Sequence, residues 1–295
     1  MSERLVKKVN VVGKGSLSVI IPKRWADALG LKPGDSVSLH FNGSRVILSP
    51  VGLAEQGVDM GILVELEDHD IALRKLIASY VEGVTKVKVR GDYKSVLELS
   101  ENLRNYITNF VLIPKPDSDL HDIMFSDVKT DLQSLLKIVE STSKKFIDEL
   151  EEGNPAAQST YAEFYREYLY FLRSIKLYVA DGELDPYEAL DLVVSIEYVK
   201  ELLDILARST GKILRTPEIS TLLELTRAAI GALLIQDVET ATNSAIKIIN
   251  ILDGIACSSD ICGSIKYLTM RMAEQILGRC IRNKACRCKY FFPKV

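Results

Sequence analysis

In the first fifty residues the marks that turn a backbone follow one another so closely that only short elements fit between them: Gly13 and Gly15, Pro22, Gly30, Lys32-Pro33-Gly34-Asp35 and Asn42-Gly43. The order reads as strand, turn, strand, one short helix, turn and a final hairpin. Pro22 can open the helix as its first residue, where a missing N–H is no loss, and Gly30 can close it in a left-handed conformation. The Lys32–Asp35 stretch is a tight turn. Val37, Leu39 and Phe41 alternate with Ser36, Ser38 and His40, the pattern of a half-buried strand. Asn42-Gly43 is the strongest two-residue hairpin signal a sequence offers, and Val46 to Leu48 run back from it.

About fifty residues bury too little apolar surface to be stable alone, and this segment has no disulfide or metal pattern to compensate. A second copy is the expected remedy. Charge is also segregated. Residues 1–50 hold eight Lys/Arg against three acids, a net +5, whereas the whole chain is −3 and the remainder therefore −8. That separation fits one face that meets phosphate and a body that does not.

The run from Gly13 through Ile21-Pro22-Lys23, then Leu29-Gly30-Leu31, Pro33-Gly34-Asp35 and a hairpin ending near Pro50, resembles the AbrB/SpoVT/MazE family of swapped-hairpin DNA-binding domains. The resemblance covers about one sixth of the chain and rests on the order of several Gly/Pro marks. It implies that two chains interleave into a β-barrel as a homodimer, with basic loops facing DNA. Lys14, Lys23 and Arg24 flank the turns where that family places its DNA-facing side chains. Lys7 and Lys8 come next, although successive strand residues point to opposite faces. None of the five can be assigned to a base edge.

At 295 residues, 47% apolar and 26% charged, the chain has room for two or three domains. It has no signal-peptide architecture at its start and no apolar run near the roughly 20 residues of a membrane helix, so a cytoplasmic location is expected. Five cysteines (Cys257, Cys262, Cys280, Cys286, Cys288) lie in the last forty residues. The one-residue gap between Cys286 and Cys288 is not that of common zinc ribbons, and the odd count gives no secreted framework. The expectation is reduced thiols, with a disulfide or a metal as the alternatives. Six basic residues and no acid come after Glu274.

The expected architecture is multidomain: an AbrB-like head over 1–51, a small α/β domain over 58–126, an all-α pair of three-helix bundles over 127–284, and a basic, Cys-containing tail over 285–295. In the α/β domain, Ile62 to Leu66 and Val84 to Val89 read as strands, 69–82 and 93–109 as helices, and Phe110 to Ile113 and His121 to Phe125 as strands flanking the Lys115-Pro116-Asp117 turn. Asp68, His69 and Asp70 point in different directions from one turn, which argues for Asp68 as a helix cap rather than for a metal site. Beyond residue 127, six helical patterns are separated at Gly153-Asn154-Pro155, Asp181-Gly182 to Pro186, Thr216-Pro217, Asp237 and Ser258-Ser259-Asp260. Core stripes such as Leu132, Leu135, Leu136 and Val139 recur at helical spacing.

This helical part resembles PhoU, the family of phosphate-uptake regulators. The likeness rests on AEFYREYLYFLRSI at 162–175, Ile196 to Asp204 continuing to Gly211-Lys212-Ile213, and Lys266 to Ile276. Tyr80 to Gly83 leading into a Val/Lys strand is similar to what archaeal-type regulators carry between such a head and such a body. PhoU proteins commonly bind metal through acids four residues apart, a spacing that puts two carboxylates on one helix face. Glu163 and Glu167 keep it. Beside Asp204, however, Lys200 stands where the first acid belongs and Ile205 where a His usually occurs, and Thr269 and Ala273 replace the acids of the second half. Glu163, Glu167 and Asp204 are thus weak candidates for a divalent or ferric ion, read first as salt-bridge residues, and no cofactor is required.

Three histidines and the lack of a GxxxxGK[ST] loop, a GxSxG elbow or a strand-to-helix GxGxxG give enzyme chemistry no support. Two classes of function compete. One is a DNA-binding transcriptional regulator of phosphate uptake, its helical body receiving the signal. The other is a PhoU-like adaptor that docks on a phosphate transporter ATPase or a signalling protein, its head serving to dimerise. The basic bias of the head favours the first. An antitoxin role is a distant third, because in MazE-like chains the head is normally succeeded by a short disordered tail.

Overall fold

The computed structural model describes residues 5–41, 46–50, 61–115, 117–126, 130–209, 216–235 and 237–282. The Asn42-Gly43 turn, Pro116, Gly211 to Ile213 and the tail over 285–295 lie outside the described residues. The chain divides into two compact units, residues 1–56 and 57–295.

In the first unit β1 (Asn10–Val12) pairs antiparallel with β2 (Ser16–Ser18), Val11 opposite Leu17, around a turn in which Gly13 has φ 68°. α1 (Lys23–Ala28) comes next, and here the expected start moves by one residue. Pro22 is the N-cap, extended at φ −57° and ψ 137°, and its carbonyl accepts the N–H groups of Trp25 and Ala26. Gly30 closes the segment at φ 67°, as its place after the helix requires. The next turn is locked by Asp35, whose carboxylate accepts the Lys32 N–H at 2.7 Å. β3 (Val37–Phe41) then pairs antiparallel with β4 (Val46–Pro50), Leu39 opposite Leu48. Within one copy these are two separate two-stranded sheets, with no closed barrel among the described residues.

The second unit begins with a four-stranded sheet. β5 (Ile62–Glu65) runs parallel to β6 (Lys86–Arg90), joined through α2 (His69–Val81); α3 (Tyr93–Leu103) leads to β7 (Phe110–Ile113), and β8 (Leu120–Phe125) inserts between β6 and β7. Asp68 caps α2 by accepting the Ile71 N–H at 2.9 Å, and Asp92 caps α3 through Ser95. α3 stops at Leu103, short of the expected residue 109, because the chain turns through residues 104–106 before entering β7. Val64, Val87, Val89, Ile123 and Phe125 fill one face of the sheet together with Leu76 and Tyr80 of α2.

Among the described residues the rest of this unit is α4 (Leu132–Glu152), α5 (Ala157–Ala180), α6 (Pro186–Arg208), α7 (Pro217–Leu234), α8 (Val238–Asp253) and α9 (Asp260–Arg282). The breaks fall where the sequence places them. Asp131, Asp185, Thr216 and Asp237 cap their helices, Pro186 and Pro217 open theirs, and Gly153 ends α4 at φ 71°. α4, α5 and α6 form one three-helix group and α7, α8 and α9 another; α4 on α7 and α6 on α9 join them. At the α4–α7 crossing a Cβ on Gly231 would stand 3.0 Å from Lys144 Nζ, so the lysine lies directly over this glycine.

The helices and the sheet belong to the same unit, and Arg173 of α5 shows how they are joined. Its side chain is fully buried; one guanidinium nitrogen donates to Tyr80 O at 2.5 Å and Val84 O at 3.0 Å, and the group stands 4.8 Å from the Tyr80 ring centre. The expectation of reduced thiols is overturned for Cys257, Cys262 and Cys280; Cys286 and Cys288 lie outside the described residues. Cys257 and Cys262 are disulfide-bonded across the α8–α9 corner with 5.4 Å between Cα atoms, and Cys280 is disulfide-bonded too. The α8–α9 turn folds Cys257 back onto the first turn of α9, a proximity that five residues of sequence do not reveal.

Candidate nucleic-acid interface

The basic candidates of the head are all exposed, on three different local structures. Lys14 sits at the tip of the β1–β2 turn between two glycines, where nothing shields its ammonium. Lys23 and Arg24 form the first turn of α1. Lys7 and Lys8 were expected on a strand but lie in the segment that precedes β1, which has no strand partner among the described residues of one copy. The clustering of Lys14, Lys23 and Arg24 next to turn residues is therefore local geometry that glycine and proline dictate.

The surroundings of these cations are as informative. None of the head residues whose burial is described is buried. Val11, Leu39 and Phe41 are 75%, 65% and 69% exposed, and Leu5, Val6, Val9, Leu17, Ile20 and Val46 are exposed as well. An apolar surface of this extent in so small a unit marks an interaction face.

The metal candidates are distributed differently. Asp204 accepts a hydrogen bond from the Tyr161 hydroxyl and pairs with Lys200 at 2.7 Å, so the lysine at the first acid position neutralises the carboxylate. Glu167 accepts from the Thr142 hydroxyl at 3.0 Å. Burial raises its carboxyl from 4.5 to about 7; the Thr142 bond acts the other way, and Glu163 one turn away adds to the rise. Glu163 itself is exposed. Among the described residues no group of three or more His, Cys, Asp or Glu side chains is placed to hold a metal ion.

Instead of a cation cluster, α5 and α6 share a ladder of polar and aromatic rungs: Tyr161 on Asp204, Lys200 Nζ 5.9 Å from the Tyr165 ring centre, and Tyr168 donating to Glu197 at 2.5 Å. Burial, then the bond to the carboxylate, raises both the Tyr161 and the Tyr168 hydroxyl above the ordinary tyrosine value. The tyrosines missed in the sequence carry their own signal, a spacing of four and three residues on one face of α5. A cleft of about 560 Å³ opens between α6 and the start of α9, lined among others by Glu201, Cys257, Asp260 and Tyr267.

Residues 11–56 match the profile of a family described as Antidote-toxin recognition MazE, bacterial antitoxin. The match begins in β1 and ends with the first unit. The head is thus similar to MazE/AbrB-type domains, and it is succeeded along the chain by an α/β layer and a helical region. No curated protein and no solved structure matches the chain. Among the described residues no helix is long and apolar enough to cross a membrane.

Proposed function

We propose that this protein is a DNA-binding regulator whose head acts as a homodimer and whose α/β and helical unit receives the signal. The observation that carries the reading is the head itself. It is similar to MazE/AbrB-type domains, has a net charge of +5 over residues 1–50, and buries none of its described residues in a single copy. A second copy would cover Leu39, Phe41 and their neighbours by interleaving into a barrel, and would double the positive charge. Lys14, Lys23 and Arg24, with Lys7 and Lys8, supply the phosphate contacts that position such a dimer on DNA. The link to phosphate uptake, and with it a transporter ATPase as an alternative partner, rests on the resemblance of residues 162–175, 196–213 and 266–276 to PhoU.

The test is retardation of DNA from the upstream region of the protein's own coding sequence and from phosphate-transport promoters, at two salt concentrations against competitor DNA. Site-selective binding with a steep salt dependence is expected. A Lys14/Lys23/Arg24 triple alanine variant should remain dimeric and lose retardation, because each phosphate contact removed flattens the salt slope by about one. Undiminished binding by that variant would remove this surface from the proposal. Absence of selective binding by the parent would favour the adaptor reading.

A further inference from the structure

On one side the four-stranded sheet ends in β7, a strand made only of Phe110, Val111, Leu112 and Ile113. Edge strands are usually shielded by charge, a bulge or a covering element. β7 has no charge, and among the described residues β8 is the element that packs along it.

The register shows which backbone groups face outward. Ser126 N–H donates to Asn109 O, so the hydrogen-bonded pairs with β8 are Asn109/Ser126, Val111/Met124 and Ile113/Asp122. The N–H and C=O of Phe110 and Leu112 therefore point away from β8. On the open face of the sheet Val111, Ile113 and Met124 are 54%, 40% and 42% exposed and adjacent. Nearby, one carboxylate serves two lysines: Asp122 pairs with Lys86 at 3.3 Å and Lys115 at 3.1 Å. Those lysines outweigh the effect of burial and hold the Asp122 carboxyl below its usual value. The cations at this edge stand outside the strand: Lys86 on β6, Lys115 beyond the end of β7, and Arg104 at the end of α3, 5.1 Å from the Phe110 ring centre.

We propose that β7 pairs antiparallel with β7 of a second copy of this chain about a two-fold axis at Val111, joining two four-stranded sheets into one of eight. That register sets Phe110 opposite Leu112 of the second copy and uses every outward group of the strand. It also leaves Pro114, which has no N–H, outside the ladder. Val111 faces its own copy across the axis, apolar on apolar.

Four residues a side are too few to hold two proteins together alone. The proposal rests on the dimeric head to supply the second copy. Eleven residues separate Pro50 from Ile62, a span of at most about 40 Å when extended. Joining two copies through their heads makes this second contact intramolecular, so a strand pairing too weak to form between separate chains is populated.

The test uses the full chain: sedimentation for mass, and hydrogen exchange read at single residues for the Phe110 and Leu112 amides. In the dimer both are expected to exchange at least ten-fold more slowly than exposed amides. Val111→Lys sets two ammonium groups directly opposite and should abolish that protection, as should Val111→Glu, while the mixture of the two restores it. Val111→Thr, which keeps the strand and adds no charge, should leave it in place, and circular dichroism monitors folding of each variant. A dimer whose Phe110 and Leu112 amides exchange freely, or stay protected in Val111→Lys, overturns the strand pairing and leaves the head reading intact. A monomer overturns the head reading, and the pairing with it.

Discussion

The two units of this chain solve the burial problem in opposite ways. Residues 57–295 enclose a core that runs from Val64 through Ile276 and includes fully buried Phe146, Phe164 and Phe171. The head leaves Val11, Leu39 and Phe41 in solvent although its turns are well formed, with Gly13, Gly30 and Gly34 at positive φ and Asp35 bonded to Lys32 N–H. Local geometry and a core are thus separable: Gly30 and Asp35 give the head its path, yet the described residues of one copy enclose no interior.

The sharpest way to break that comparison is a matched pair of substitutions. Leu39→Asp places a charge in the exposed apolar face proposed to meet a second copy, and it should abolish dimerisation and the head's unfolding transition together. The melting of the body should be unchanged. Phe171→Ala, at a fully buried site of α5, should do the reverse, costing the body about 3–5 kcal/mol and leaving the dimer intact. Differential scanning calorimetry with sedimentation reads both. A head transition independent of protein concentration would show that the head is self-sufficient and the comparison false.

The same contrast separates what could be read in the sequence from what could not. Turns and helix ends were legible where their causes lie within four residues: Gly30 takes positive φ, Asp68 caps α2, and the breaks at Gly153, Asp181 to Pro186, Thr216-Pro217 and Asp237 fall at helix ends. Pro22 shifted by one place, since proline serves equally well just before a helix. Nothing local announces that β8 inserts between β6 and β7, that Cys257 meets Cys262, or that Arg173 crosses into the α/β layer. In the candidate interface the exposure of Lys14, Lys23 and Arg24 was implied by their turns. The pairing of Asp204 with Tyr161 depends on how α5 and α6 align, which a single helix pattern does not encode.

Arg173 offers a smaller but more specific perturbation, because it tests whether the second unit is one body. Replacing it by Met keeps much of the volume but removes the cation over the Tyr80 ring and leaves the Tyr80 and Val84 carbonyls without their charged donor. A loss of about 3 kcal/mol is expected from removing such a hydrogen-bonding group from a buried site. The added hydrogen exchange should concentrate at the end of α2 and the start of β6, where those carbonyls lie. Loosening confined to α5 would mean that the sheet and helices are less coupled than their packing implies.

The smallest expected effect concerns Glu167, and its sign tells whether the polar seam of α4 and α5 is built for charge. Its Oε1 accepts from Thr142, but its buried Oε2 has no partner, and the carboxyl is raised to about 7 from an ordinary 4.5. The folded protein therefore holds a proton between those values that the unfolded chain releases. Stability linked to this group is complete below about pH 4.5 and declines as pH rises through about 7, the reverse of a salt-bridged carboxylate. The side chain is partly solvated, so the loss is about 1 kcal/mol rather than the full value of the shift. Glu167→Gln keeps the Thr142 contact without the charge; it should be more stable than the parent at about pH 8, equal at about pH 4, and flat between. A parent that instead gains stability through this residue as pH rises to about 4.5, and is level from there to about pH 8, would show that Glu167 is held ionised by a positive group, and the seam would again be a candidate for binding a cation.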